Sequence, residues 1–158
     1  MTPNRAFYDA LPQKRMAAGC LFFNERQEVL LVKPTYKPSW EIPGGVTEDN
    51  ESPKQGCQRE VLEEIGLTRE IGRLLVLDYN SESGPKTESL MFIFDGGVLD
   101  EAEIAAIHLP ADELSEFAFF CRDNLPEAMT KPLKARVLAA WQQYDCGQAI
   151  YLENQQTV

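Results

Sequence analysis

The sequence has few of the residues that build zinc sites and disulfide frameworks. Among 158 residues there is one histidine, His108, and the four cysteines are scattered with no CxxC pair: Cys20, Cys57, Cys121 and Cys146. Structural zinc sites use closely spaced Cys and His ligands, and disulfide frameworks are typical of small secreted chains. The pattern therefore indicates no cysteine metal site and reduced, buried thiols, as in a cytosolic protein.

The sequence also lacks long apolar runs and a surplus of basic residues. The first 15 residues contain no apolar segment typical of a signal peptide, and no stretch approaches the roughly 18 apolar residues of a membrane span. The net charge is -10 and the pI is near 4.6, whereas a long nucleic acid would favour a basic surface. We expect a cytoplasmic protein without membrane or long nucleic-acid partners, and a small phosphorylated substrate remains compatible.

One densely patterned segment, residues 45–67, stands out in what the sequence does contain. Its spacing is Gly-x5-Glu-x7-Arg-Glu-U-x-Glu-Glu-x-Gly-U, with U aliphatic, at Gly45, Glu51, Arg59, Glu60, Val61, Glu63, Glu64, Gly66 and Leu67. Ser52, Pro53 and Gln55 have the pattern of an N-cap, a first-turn proline and a capping-box partner. We therefore predict a helix that begins near Pro53 and ends at the glycine C-cap, Gly66.

The predicted helix carries three carboxylates on one face. Glu60, Glu63 and Glu64 are three and four residues apart, so their side chains share a face and repel one another. Arg59 can reach Glu63, but one guanidinium cannot balance these three groups and Glu51 together. Hard Mg²⁺ or Mn²⁺ prefers carboxylate, carbonyl and water oxygen, so the face predicts a site for one of these ions.

This segment resembles the Nudix box, the signature of hydrolases that act on nucleoside diphosphates linked to another group. The preceding residues, Trp40-Glu41-Ile42-Pro43-Gly44-Gly45, resemble the family's strand-to-loop approach. The resemblance implies that the Gly44 carbonyl and the three helix carboxylates hold the metal. It also implies that Glu51 and Arg59 hold those carboxylates in place, so that the catalytic set is Glu63, Glu64, Arg59 and Glu51.

In this family an additional acidic residue, often beyond the box, can complete the metal site or act as the general base. Asp95, placed after the apolar segment 91–94 and before two glycines, is the first candidate, followed by Glu113 and Glu82. An Asx turn ahead of the glycines is an equally good interpretation of Asp95. The proton acceptor stays open among Glu64, Glu63 and Asp95.

The order of periodic segments predicts an α/β fold, a Nudix-type α/β/α sandwich with a mixed β-sheet between helices. Predicted strands cover 16–23, 29–32, 74–79 and 90–94, and a second helix covers 132–145 with its apolar stripe in the core. On that helix we expect Lys131, Lys134 and Arg136 to form an exposed edge. The length fits one domain, 1–158, with residues 1–14 as an N-terminal extension.

The substrate is the least determined feature. Lys33, Tyr36, Lys37 and Trp40 are candidate substrate-binding residues, although ordinary loop and packing roles are also open to them. The polar connection 80–86 is expected to select the leaving group, which could belong to an ADP-ribose-like compound, a nucleotide sugar or a nucleoside triphosphate. Two alternatives stay open: a non-catalytic nucleotide sensor on the same fold, and assembly of the chain as a homodimer.

Overall fold

A computed structural model of the chain describes residues 4–158. The main helices of this part are α2 (Pro53–Ile65) and α4 (Lys131–Cys146), with shorter helices α1 (Arg5–Asp9) and α3 (Glu101–Ala105) and a 3-10 turn (Arg122–Asn124). The strands are β1 (Arg15–Phe23), β2 (Val29–Pro34), β3 (Gly44–Val46), β4 (Leu74–Asn80), β5 (Ser89–Val98), β6 (Leu114–Phe120), β7 (Ile150–Glu153) and β8 (Gln156–Thr157).

The strands form one mixed sheet in the order β6-β2-β1-β5-β4-β7-β8, with β3 paired to β1. The β1–β5 and β4–β7 pairs are parallel, and the other pairs are antiparallel. Residues 18–23 of β1 are all buried, because β1 lies inside the sheet and contributes side chains to both faces. This central position places the β1–β3 pair, and with it Gly44 and Gly45, in the middle of the molecule.

Each face of the sheet has its own apolar core. On one face Val61 and Ile65 of α2 pack with Cys20 and Phe22 of β1. On the other face α4 packs its stripe, which includes Val137 and Trp141, against the remaining inward-facing residues of the sheet. Helices therefore cover both faces, and the predicted α/β/α sandwich with a mixed sheet is confirmed.

The prediction for the second strand after α2 was wrong at its C-terminal end. Asp95 does not follow that strand but lies inside β5, which continues to Val98. The strand continues through a bulge, because Leu21 pairs with Asp95 whereas the next residue of β1, Phe22, pairs with Gly97. A side chain on Gly96 would overlap the Phe22 ring, so the two glycines allow a strand where they had suggested a turn.

The ends of the chain and its cysteines add little to the framework. The predicted extension contains α1. None of its residues 4–14 is buried, and residues 1–3 lie outside the described part. Cys20 and Cys57 are buried free thiols, as expected, but Cys121 and Cys146 are exposed. Between residues 4 and 158 no helix combines the length and the apolar character needed to cross a bilayer.

Candidate active site

The box helix is held by the caps that its sequence predicts. The Ser52 side chain accepts a hydrogen bond from the Gln55 N–H, and the Gln55 side chain accepts one from the Ser52 N–H. Gly66 ends the helix with φ 72°, a left-handed conformation that favours glycine. Because Val61 and Ile65 are buried against the sheet, Glu60 and Glu64 face Gly45 and Gly44 at the start of β3.

Arg59 connects three of the four box carboxylates. Its Nε and Nη2 donate to the two oxygens of Glu51 at 2.9 and 3.1 Å. Its Nη1 donates both to Glu60 Oε1 at 2.8 Å and to Glu63 Oε2 at 3.0 Å. The hydrogen bonds to Glu51 are the largest influence on the guanidinium and raise the pKa of Arg59, and Arg59 in turn lowers the pKa of Glu51. One positive charge therefore serves three negative ones.

Glu64 is the box carboxylate that Arg59 does not reach. Its Oε2 accepts a hydrogen bond from the Gly44 N–H at 2.8 Å. Burial raises the pKa of Glu64 to about 8; the Gly44 hydrogen bond opposes that rise, and the negative charges of Glu60, Glu113 and Glu41 add to it. Negative charge at this position is thus unfavourable without a further cation.

Two glycines at the start of β3, Gly44 and Gly45, allow its backbone to pack closely against α2 and β1. A side chain on Gly44 would overlap the Ala18 carbonyl oxygen, and one on Gly45 would overlap the Glu60 carboxylate. Gly44 pairs with Gly19 of β1 in the β1–β3 ladder. The backbone of the loop therefore lies directly against the carboxylate face, as a site that combines carbonyl and carboxylate oxygens requires.

The donor set suits a hard divalent cation. Glu60, Glu63, Glu64 and the Gly44 carbonyl offer only oxygen, the ligand type that Mg²⁺ and Mn²⁺ prefer. Within residues 4–158 no three His, Cys, Asp or Glu side chains stand in a ready-made ligand arrangement. Glu60 and Glu63 instead point their oxygens at Arg59. The residues fit such an ion in chemical type, and Arg59 would have to share these two carboxylates with it.

The three additional acidic candidates lie in different places. Asp95 Oδ1 accepts a hydrogen bond from the Gly97 N–H at 2.8 Å, as in the Asx interpretation. Glu113 is among the charges that act on Glu64. Glu82 lines a separate large cavity. The negative charge of Glu113, the second candidate, therefore contributes to the raised pKa of Glu64.

The four candidate substrate-binding residues form their own contacts beside the site. Lys33 Nζ pairs with Glu116 at 2.8 Å and lies 5.5 Å from the centre of the Trp40 ring. The Trp40 ring itself packs edge-on against Phe120, with its centroid 5.1 Å away, next to the α4-side core. These contacts correspond to the packing interpretation of Trp40.

The other two candidates, Tyr36 and Lys37, lie in the loop after β2. Tyr36 is 76% exposed. Lys37 Nζ pairs with Glu41 at 2.8 Å. Glu41 lines the small cavity at Gly44 and is one of the charges that act on Glu64, so Lys37 is the candidate with a connection to the box.

The expectation that Arg136 lies on an exposed edge of the last helix was wrong. Its Nη1 donates to Asp78 Oδ2 at 3.0 Å, and Asp78 is fully buried. Gln155 completes the arrangement by donating its N–H to Asp78 Oδ1 at 3.0 Å. The sequence does hold a signal for this contact, because an aspartate within the apolar strand Leu74–Asn80 requires a buried partner.

Two neighbouring cavities lie on the α4 face of the sheet. The smaller, about 200 Å³, borders Gly44 and Gly45. The larger, about 730 Å³, lies between the polar connection 80–86 with the adjoining Thr87 (together the 80–87 connection), the start of α4 and the C-terminal hairpin. Met91 and Arg136 line both, so the two cavities meet at these residues. The connection expected to select the leaving group therefore borders a cavity that neighbours the one at Gly44 and Gly45.

Comparison with known proteins identifies the class to which this site belongs. A model of the NUDIX domain matches residues 13–141, which is more than half of the chain. The chain therefore belongs to the Nudix family, in agreement with the box, the capped helix and the sandwich fold.

Particular relatives carry hydrolase names. The chain is 39% identical over 89 residues to the Homo sapiens protein "Diphosphoinositol polyphosphate phosphohydrolase 3-alpha", a match that covers 54% of this chain and 53% of the relative. The chain spans about half the length of the curated relatives it matches.

Solved structures show the same fold. A UDP-X diphosphatase structure has a TM-score of 0.75 and 25% identity, covering 90% of this chain and 68% of that chain. A Streptococcus suis ADP-ribose pyrophosphatase has a TM-score of 0.67 and 21% identity, covering 89% of this chain and 99% of that chain.

Proposed function

We propose that the protein is a Mg²⁺- or Mn²⁺-dependent hydrolase that cleaves a diphosphate linkage in a nucleoside diphosphate derivative or a related small phosphorylated compound. The observation that carries the proposal is the meeting of the box carboxylates with the Gly44–Gly45 backbone at one end of a cavity. The phosphohydrolase and diphosphatase names of its relatives support the same reaction class.

The ion would be held by Glu60, Glu63, Glu64 and the Gly44 carbonyl, and would supply neutralisation of phosphate charge and a more acidic water. The chain's own contribution is positioning. Arg59 holds Glu60 and Glu63 from one side, and Gly45 leaves room for the Glu60 carboxylate against the loop backbone. Hydrolysis of a diphosphate needs little covalent help from protein groups beyond such positioning and charge stabilisation.

The reaction adds water to one phosphorus atom and breaks its bond to the bridging oxygen. One proton of the water must pass to a basic group. We assign that role to α2, at Glu63 or Glu64, because Glu64 accepts from the Gly44 N–H and Glu63 lies one residue before it, whereas Asp95 accepts from the Gly97 N–H.

The substrate class remains broad within this proposal. The names of the relatives mention diphosphoinositol polyphosphate, UDP-X and ADP-ribose, and all contain or imply a diphosphate. The test is a phosphate- or nucleotide-release assay on ADP-ribose, UDP-glucose, ATP and a diphosphoinositol polyphosphate, with Mg²⁺, Mn²⁺ or EDTA.

We expect turnover of at least one compound with metal and none in EDTA. Glu63→Gln should abolish most of it, whereas Glu25→Gln, in the exposed turn between β1 and β2, should not. Absence of turnover across the panel, combined with metal-independent nucleotide binding, would contradict the proposal and favour the sensor alternative.

A further inference from the structure

The larger cavity is positioned to receive the part of a substrate that lies beyond its diphosphate. The smaller cavity borders Gly44 and Gly45, where the diphosphate must lie if the proposed function holds. Arg136 and Met91 line both cavities, so the two cavities are neighbours. A group attached to the diphosphate on this side would therefore enter the larger cavity, next to the 80–87 connection.

The larger cavity carries a small surplus of positive charge, since Arg136 is paired with Asp78, although the chain as a whole has a net charge of -10. Arg15, Lys86 and Arg136 line it, and Glu82 is the acidic residue on its wall. Arg15 donates from its Nε and Nη2 to the Thr87 side chain and carbonyl, each at 2.9 Å, and has no carboxylate partner among residues 4–158.

Lys86 is the most available of these cations. It is exposed and takes part in no ion pair of residues 4–158. Its backbone is fixed by reciprocal hydrogen bonds with Ser83 across the Gly84-Pro85 turn, at 3.0 and 3.1 Å. A rigid backbone with an unpaired ammonium at the rim of a cavity suits an anionic group such as phosphate.

The uncharged residues that line the larger cavity offer hydrogen-bonding groups but no aromatic ring. Asn80, Asn154 and Gln155 supply amides, and the connection supplies several hydroxyls, whereas none of the described residues that line the larger cavity is Phe, Tyr, Trp or His. Aromatic stacking contributes about 1–3 kcal/mol to the binding of a base, so a nucleobase would have little to hold it here. Phe92 lines the smaller cavity but packs with the α2-side core. Its ring is stacked with the Phe94 ring, and the two ring centroids are 6.3 Å apart.

We propose that the larger cavity binds a phosphorylated sugar or polyol, a non-aromatic group rich in hydroxyls, and not a nucleobase. The hydroxyls of such a group meet the amides and hydroxyls of the wall, and its phosphate meets Lys86 and Arg15. The assignment of this group as the leaving part of the substrate rests on the proposed function, whereas its binding does not.

The test is a titration of the metal-free full-length protein in EDTA, followed by amide NMR shifts. The probes are ribose 5-phosphate, myo-inositol 1-phosphate and AMP, which carry one phosphate each. Without metal the box repels anions, so binding must occur elsewhere. We expect shifts in the 80–87 connection and a Kd of about 1 mM or tighter for at least one of the two non-aromatic probes. Ribose 5-phosphate and AMP differ by the adenine base, so the ratio of their Kd values measures the contribution of the base. We expect the Kd of AMP to lie within about threefold of that of ribose 5-phosphate.

Variants localise the contact. Lys86→Gln should weaken binding about fivefold and Lys86→Arg should restore it, because the phosphate contact depends on charge. Lys54→Gln, the same charge change at an exposed position on α2, should leave Kd unchanged. Binding of AMP more than about tenfold tighter than ribose 5-phosphate, shifts outside the connection, or an unchanged Kd in Lys86→Gln would each overturn the proposal.

The result is separable from the proposed hydrolase activity. If the sugar phosphate binds at the 80–87 connection but no diphosphate is hydrolysed, the cavity assignment stands and the proposed function fails. If hydrolysis is observed but neither non-aromatic probe binds, the proposed function stands and the cavity assignment fails.

Discussion

Two partly buried arginines, one on each long helix, pair with different numbers of carboxylates. Arg59 of α2 contacts Glu51, Glu60 and Glu63, and the fourth box carboxylate, Glu64, lies beyond its reach. Arg136 of α4 contacts a single carboxylate, Asp78. The Arg59 cluster has surplus negative charge, whereas the charges of the Arg136–Asp78 pair are balanced.

This difference in charge balance distinguishes the candidate active site around Arg59 from the structural ion pair of Arg136 and Asp78. A balanced buried pair with its remaining oxygens hydrogen-bonded needs nothing further, and Asp78 receives two additional bonds from Gln155. Surplus carboxylates beside a close-packed glycine loop are unfavourable until a cation joins them. This difference in charge balance is a further argument for the proposed cation site at the box.

The largest expected effect is on the balanced pair. Asp78→Asn should lower the free energy of unfolding by about 3–5 kcal/mol, because it leaves the Arg136 charge buried without its partner. Urea denaturation measures the loss. Glu116→Gln, which breaks the exposed pair with Lys33, is the control and should cost about 1 kcal/mol or less. A loss of similar size in both variants would show that burial does not distinguish the pairs.

The next effect is on activity at the surplus cluster. Glu64→Gln should lower kcat by about a hundredfold or more, on the order of 3 kcal/mol of transition-state stabilisation, with the fold intact. Steady-state kinetics at saturating metal and a thermal melt provide the two readings. Near-normal kcat in this variant would remove Glu64 from the ligand set. Glu101→Gln, at an exposed carboxylate on α3, serves as the matched control.

Metal should stabilise the folded protein through the same cluster. Mg²⁺ or Mn²⁺ at a hundred times its Kd is expected to contribute about 2.7 kcal/mol, because it binds the folded carboxylates and not the unfolded chain. Differential scanning calorimetry of EDTA-treated protein measures the shift in Tm, and Glu60→Gln should reduce it. A shift no larger than that produced by NaCl at equal ionic strength would mean that the cluster does not bind the ion.

The smallest effect is a pH dependence in EDTA. The pKa of Glu64 is raised to about 8 in the folded protein, above its ordinary value of 4.5, so between these values the folded state retains a proton that the unfolded state has lost. This contribution is greatest at the acidic end and is lost as the pH rises towards 8. Tm should therefore fall from pH 5.5 to pH 8, and Glu64→Gln should flatten the profile. Equal slopes in the two proteins would contradict the assignment.

The box helix could be predicted in detail because its signals are short-range. The capping box joins Ser52 and Gln55, three residues apart, and the terminal glycine needs only its own backbone freedom. The apolar stripes of α2 and α4 likewise follow from helical spacing. Asp95 was placed wrongly because the same two glycines can form either a turn or a bulged strand, and pairing with β1 decided between them.

The amino-acid sequence by itself determined the family and the carboxylate face and predicted a cation site there, since all three depend on the types and spacing of residues within one helix and its loop. Only the tertiary structure decided that Arg59 pairs with Glu51, Glu60 and Glu63 but not Glu64, and that Arg136 pairs with the buried Asp78. The Arg136–Asp78 contact joins residues 58 positions apart in the chain. Such contacts depend on how the sheet and its two covering helices bring distant segments together, and no local spacing encodes that arrangement.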